Sequence, residues 1–245
     1  MSDRIKRYFS LNYFMIGFTV TLLVLLPFAV NSAYPSSIDF SLIDMQGNSE
    51  SQTVSLDGYI DQPTEHGVQE FTFGLMYGEE DYKRSSEYWY GTMKDSHDLE
   101  NSDYWYNLSG FEVDEFAGYD VRLRGGLGIG TKMEHGSHVL KIESGPGLIY
   151  EERVDGTKEG YLVGRAYQEY RWKGNSRLSV KEDCEYLYDY ADDDNYRINA
   201  GLSIIGKIDE DMSVKFGPDI RYMNKPVGER KELDIITKAT VVWSF

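Results

Sequence analysis

The chain has 245 residues, a formal net charge of −16, 41% apolar and 14% aromatic residues, and a single cysteine. An acid excess of this size argues against nucleic-acid and anionic-surface binding, and Cys184, standing alone, excludes an intrachain disulfide. The mean hydropathy of −0.48 reads as water-soluble, but an average conceals any pattern in which apolar and polar residues alternate.

Residues 1–33 read as an export signal. Arg4, Lys6 and Arg7 form a basic start, Met15 to Val30 is an almost uninterrupted apolar run, and small residues follow, suited to cleavage after Ser32 or Ala33. An uncleaved anchor is the competing reading, because the run is near the lower limit for a spanning helix. The abrupt change to strand-like sequence favours cleavage. No cysteine follows the signal, so a lipoprotein anchor is not expected. The signal holds three bases and Asp3, so the remainder carries two more negative charges than the whole chain.

From residue 34 onward, turn chemistry cuts the chain with some regularity. The expected turns are Gly47-Asn48-Ser49, Asp61-Gln62-Pro63, Gly78 to Asp81, Asp95 to Asp98, Asp114 to Gly118 and Glu134 to Ser137. They continue with Asp155-Gly156-Thr157, Lys173-Gly174-Asn175, Asp192-Asp193-Asp194, Ile208 to Asp211 and Asn224 to Gly228. These leave about twelve strands, an even number, as single-chain bacterial barrels have. All the turns are short, and none is expected to fold back and plug a lumen.

Between the turns the alternation is plain. Phe71, Phe73, Leu75 and Tyr77 oppose Glu70, Thr72, Gly74 and Met76; Val121, Leu123, Leu127 and Ile129 oppose Arg122, Arg124, Gly126, Gly128 and Gly130. Tyr196, Ile198, Ala200, Leu202 and Ile204 oppose Arg197, Asn199, Gly201 and Ser203, and Val214, Phe216, Ile220 and Tyr222 oppose Lys215, Gly217, Asp219 and Arg221. Ser85–Met93 and Arg165–Trp172 carry aromatics on both faces, so their outward side stays unassigned. The last stretch, Lys231 to Phe245, sets Leu233, Ile235, Thr237, Ala239, Val241, Trp243 and Phe245 against Glu232, Asp234, Ile236, Lys238, Thr240, Val242 and Ser244. Side chains alternate across a strand. One apolar face ending in aromatics therefore suits a lipid-facing wall with an interfacial girdle, and Trp243 and Phe245 are the expected insertion signature.

The fold expected is thus all-β: one antiparallel transmembrane barrel of about twelve strands over residues 34–245, with both termini periplasmic. No catalytic constellation is evident. His66, His97, His135 and His138 fall in or beside turns on the periplasmic side, without a nucleophile in reach. His135 and His138 lack further ligands at metal spacing, and Asp192-Asp193-Asp194 lacks the spaced acids of a calcium loop. Cys184 has no neighbouring base. Neither enzyme activity nor a metal or cofactor is expected. The charges assigned to the lumen are Arg122, Arg124, Lys141, Glu143, Arg197, Lys215, Asp219, Arg221, Asp234 and Lys238, with Asp183, Glu185 and Glu232 as further inward acids. They either line a conducting path or pair across a narrow lumen and fill it. Similar numbers of both signs favour pairing.

Several segments resemble the YdiY-type salt-induced outer-membrane proteins, a family classed as a domain of unknown function. They are Gly47 to Glu50, Asp114 to Gly118, Arg122 to Gly128, Glu143 to Glu151 and Asn224 to Lys231. The resemblance is weakest over Tyr82 to Tyr106 and carries structural motifs, with no active site. It implies an outer-membrane barrel linked to salt or osmotic stress. The expected function is a narrow pore or binding barrel for a small polar solute in the outer membrane of a Gram-negative bacterium. The alternative is a closed barrel that supports the envelope without transport. Partners expected are outer-membrane lipid, lipopolysaccharide and the barrel-assembly machinery; nucleic acid is not, and a monomer is.

Overall fold

The computed structural model describes residues 36–46, 51–80 and 83–245. The export signal and the turn at 47–49 lie outside the described residues. Twelve strands run in chain order. They are β1 Ser36–Gln46, β2 Ser51–Thr64, β3 Gly67–Glu80, β4 Lys83–Asp98, β5 Asp103–Asp114 and β6 Tyr119–His135. The second half comprises β7 His138–Arg153, β8 Lys158–Lys173, β9 Leu178–Asp189, β10 Tyr196–Lys207, β11 Met212–Met223 and β12 Leu233–Ser244. Each strand pairs antiparallel with the next, and β1 pairs with β12, so the sheet is a closed barrel. Closure satisfies every strand edge, which is what permits a sheet to sit where no water can bond its backbone.

Ser36 and Phe245 meet at one rim, where the Ser36 amide donates to the Phe245 carbonyl at 3.2 Å and the Phe245 amide donates back at 3.0 Å. We call this the terminal rim and the other the far rim. Two expected turns move. Asp61-Gln62-Pro63 lies inside β2, which continues to Thr64, and Asp95 to Asp98 lies inside β4. In both places polar residues that resemble a turn face outward or inward along a pleated strand near the rim. The true reversals are the two residues between β2 and β3 and a short 3-10 turn at Glu100–Ser102.

The two segments with aromatics on both faces resolve through their partners. Tyr90 donates to Asp57 across the interior at 3.1 Å, whereas Trp89 and Met93 are exposed on the outside. In β8, Tyr161, Val163 and Glu169 are buried inside, and Leu162 and Trp172 are exposed outside. Exposed Trp105, Trp172 and Trp243 ring the outer surface toward the terminal rim; Trp89, Phe111, Tyr186 and Tyr190 do so toward the far rim. Leu127, Ile142, Leu148, Phe216 and Val241 are exposed between them. This is the apolar band between aromatic girdles that a bilayer selects.

Glycines on the inner wall give space to tyrosines. A Cβ at Gly128 would lie 2.6 Å from the Tyr106 hydroxyl and one at Gly130 2.5 Å from the Tyr104 ring. Each ring lies over the glycine of the neighbouring strand, covering backbone that a bare glycine leaves open. Irregular pairing near Glu112 and Val121 then changes the parity of one residue. Tyr119 has the numbering parity of outward Val121 and Leu123, but the extra residue Asp120 turns it inside, fully buried.

Candidate functional site

The barrel interior concentrates the chain's charge. Near the far rim, the buried Glu151 carboxylate of β7 is the shared acceptor of Arg122 (2.9 Å), Arg153 (3.3 Å) and Arg197, and Tyr161 donates to it at 2.8 Å. Arg122 also pairs with Glu112, and its guanidinium lies 3.6 Å from the centroid of the Tyr119 ring. Arg221 stacks 4.1 Å from the Tyr88 ring centroid and reaches Asp114 at 3.4 Å.

Toward the terminal rim, Glu143 is fully buried and accepts from Arg165 (2.8 Å), Tyr104 (2.8 Å) and Lys94. Lys94 bridges on to Glu70 at 3.2 Å, and Lys141 lies 3.7 Å from Glu70 and 4.0 Å from Glu169. On the β11–β12 side, Lys238 meets Asp219 at 3.2 Å and Asp57 at 3.5 Å, and Lys215 pairs with Asp39. A buried carboxylate surrounded by several donors is the arrangement that makes burial of charge tolerable.

Among the described residues, two chambers lie within this network. The upper chamber, of about 360 Å³, lies toward the far rim, lined by Tyr88, Tyr90, Arg221, Asp219, Asp234 and Lys238 among others. The second, of about 310 Å³, lies toward the terminal rim between Tyr59, Glu70, Lys94, Lys141, Tyr167 and Lys181. Thr72, Thr92, Arg124, Asp183, Glu185 and Asn199 line both, and so form the waist between them.

The far rim carries a strap that the short turns gave no reason to expect. Residues Asn224–Glu232 connect β11 to β12 and reach the Asp114–Gly118 turn, which leaves the barrel six strands away around the ring. Arg230 donates to the carbonyls of Phe116 (2.6 Å), Val227 (3.0 Å) and Glu115 (3.2 Å). Val227 is buried with Ala117, Tyr119 and Met223. Gly118 has φ 101°, and a Cβ there would sit 2.7 Å from that of Val227, so the turn needs glycine both for its backbone and for the strap. Ala117 and Met223 line the upper chamber, which places the strap over it. On its other side, Lys225 pairs with Asp192, and Asn224 donates to the Asp194 carbonyl at 3.0 Å.

Arg122, Arg124, Lys141, Glu143, Arg197, Lys215, Asp219, Arg221 and Lys238 all take part in these interior contacts, and Asp234 lines the upper chamber. Glu232 is different: it precedes β12 in the strap, is exposed, and accepts from Tyr222 at 3.3 Å. The alternation placed Glu70 opposite the apolar face of its strand without counting it among the lumen charges, and it left out Lys94, Glu151, Arg165 and Glu169, most of them in or beside the aromatic-rich segments where the inward face was hidden. Their one available signal was charge at alternate positions. Trp243 and Phe245 are exposed at the terminal rim. His97 stacks on Trp105 with centroids 4.2 Å apart, and His138 shares a hydrogen bond of 2.7 Å with Tyr170; both lie near that rim.

A family model described as "Protein of unknown function, DUF481" matches residues 38–245. No curated protein matches the chain by sequence. Among solved structures, the NanC porin superposes with a TM-score of 0.57 at 8% identity, covering 84% of this chain and 98% of that one. The KdgM porin gives 0.54 at 10% identity, covering 85% and 99%. An outer-membrane channel of Pseudomonas putida F1, COG4313, gives 0.54 at 10%, covering 86% and 95%. At such identities the likeness is one of fold, that of outer-membrane barrels.

Proposed function

We propose that this chain, which belongs to the DUF481 family of proteins of unknown function, is a salt-induced type of outer-membrane barrel in a Gram-negative bacterium that holds or passes a small polar solute. It has no enzymatic role in this reading. The observation that supports it best is the pair of chambers joined at a shared charged waist. Their volumes fall in the range of small-molecule sites, roughly 300–1,000 Å³. Both termini are periplasmic, so the far rim and its strap face outward, toward lipopolysaccharide. Trp243 and Phe245 form the end recognised by the assembly machinery. Purified protein in planar bilayers is expected to show discrete conductance steps that change in Arg122→Ala or Arg221→Ala. A silent bilayer with verified insertion removes the pore.

A second reading, a closed barrel supporting the envelope under salt stress, draws on the interior ion pairs and the strap. It expects a deletion strain to become sensitive to salt or chelators with no uptake defect. A specific uptake defect counts against it.

A further inference from the structure

Between its two aromatic rows, the outer surface of the barrel is exposed apolar side chain almost everywhere; Leu127 is 63% and Ile129 68% exposed. Two faces depart from this: on β4–β5 the outward Asn107 amide donates to Asp95 at 3.4 Å and Ser109 is exposed beside it, whereas the polar groups on the face of β8–β10 are not matched to one another. Ala166, Gln168 and Glu182 are exposed there, and Cys184 and Ala200 are half-buried. Gln168, Cys184 and Ala200 form one paired row across the three strands, and Glu182 pairs with Tyr170 and Leu202 beside it. Trp172 pairs with Val180 on one side of this patch, and Ala166 and Ile198 pair with Tyr186 on the other. The patch therefore lies inside the apolar band. Among the described residues, no hydrogen bond or ion pair engages the side chain of Gln168 or of Glu182.

A primary amide and a carboxylate facing hydrocarbon are each unfavourable until they find a partner. We propose that this face docks a second copy of the chain about a two-fold axis parallel to the barrel axis. The argument is complementarity. The carboxylate of Glu182 only accepts, and the amide of Gln168 donates. The two stand diagonally on adjacent strands; a two-fold axis parallel to the barrel axis keeps each at its own height, and the strand tilt of a barrel, typically about 35–45°, brings such a diagonal pair toward one level, where the operation makes two reciprocal bonds. Ala166 and Ala200 are small enough to let the walls approach, as small residues do between membrane segments. Such a dimer departs from the monomer expected of the sequence, and it stands whether or not the lumen conducts.

The test is the dimer dissociation constant of the full-length folded barrel in detergent and in lipid nanodiscs, by sedimentation and native mass spectrometry. Gln168→Glu sets carboxylate against carboxylate and is expected to weaken the dimer about tenfold or more. The exchanged variant, Gln168→Glu with Glu182→Gln, restores the reciprocal bonds and is expected to return the wild-type constant. The proposal is overturned by a wild-type barrel that stays monomeric, by a dimer indifferent to both variants, or by a different outer-membrane protein occupying this face.

Discussion

Arg124 of β6 and Glu185 of β9 meet across the barrel interior at 3.2 Å, and both line the waist between the two chambers. Arg124 also donates to Thr92 at 3.2 Å, and Glu185 accepts from Arg165 at 2.6 Å. These three bonds tie β4, β6, β8 and β9 together at the level shared by the two chambers. Under the pore reading, Arg124→Ala widens the waist and is expected to raise single-channel conductance. Glu185→Gln keeps the shape but removes one negative charge, leaving Arg124 without its carboxylate while Arg165 keeps Glu143, shifting reversal potentials toward anions in a salt gradient. Unchanged conductance in both would place the limiting barrier elsewhere.

Glu151 is fully buried and serves Arg122, Arg153 and Arg197 together. Glu151→Ala leaves these cations without their shared acceptor, a loss on the order of 3–5 kcal/mol for a broken buried pair. The temperature at which the folded band converts on a heat-modifiability gel is expected to fall. Glu151→Gln, which keeps acceptor geometry without charge, should fall less.

The strap gives a separate handle on the lumen. Arg230→Ala removes its bonds to the Glu115, Phe116 and Val227 carbonyls while leaving the strands untouched. Higher or noisier conductance with unchanged gel mobility is the expected outcome. A variant identical to wild type in bilayers would show that the strap does not limit entry.

Acid acts on the strap's other attachment. Lys225 holds the Asp192 carboxyl below its ordinary value of 3.8. A lowered value means the pair contributes fully above the unfolded carboxyl's titration and is lost as pH falls through the folded one. Under the pore reading, the part of the conductance that depends on this pair should stay level from neutral pH down to about pH 4 and change only below it. Lys225→Ala should remove that acid-dependent change.

Gly128 offers no room for a side chain: a Cβ would lie 2.3 Å from the Ser144 carbonyl oxygen and 2.6 Å from the Tyr106 hydroxyl. Gly128→Val is expected to reduce the yield of folded barrel in refolding assays. Combining it with Tyr106→Ala should recover little, because the backbone clash remains.

Much of the architecture is legible in the sequence. The two-residue period of β6 and β10–β12 separates inward charge from outward apolar residues, and that period survives folding because it is local geometry. The turns at Asp114–Gly118, Asp155–Thr157 and Asn224–Gly228 were equally legible, since glycine and aspartate carry turn chemistry wherever they stand. Tyr119 was not, because one inserted residue reverses its face and nothing local announces a bulge. Lys94 and Arg165 were obscured by aromatics on both faces, whose outward or inward sense depends on which rings lie over which glycines. The choice between charges that line a lumen and charges that fill it needed tertiary structure. Glu143 and Lys94, or Arg230 and Phe116, are far apart in sequence, and only closure of the ring sets their distances.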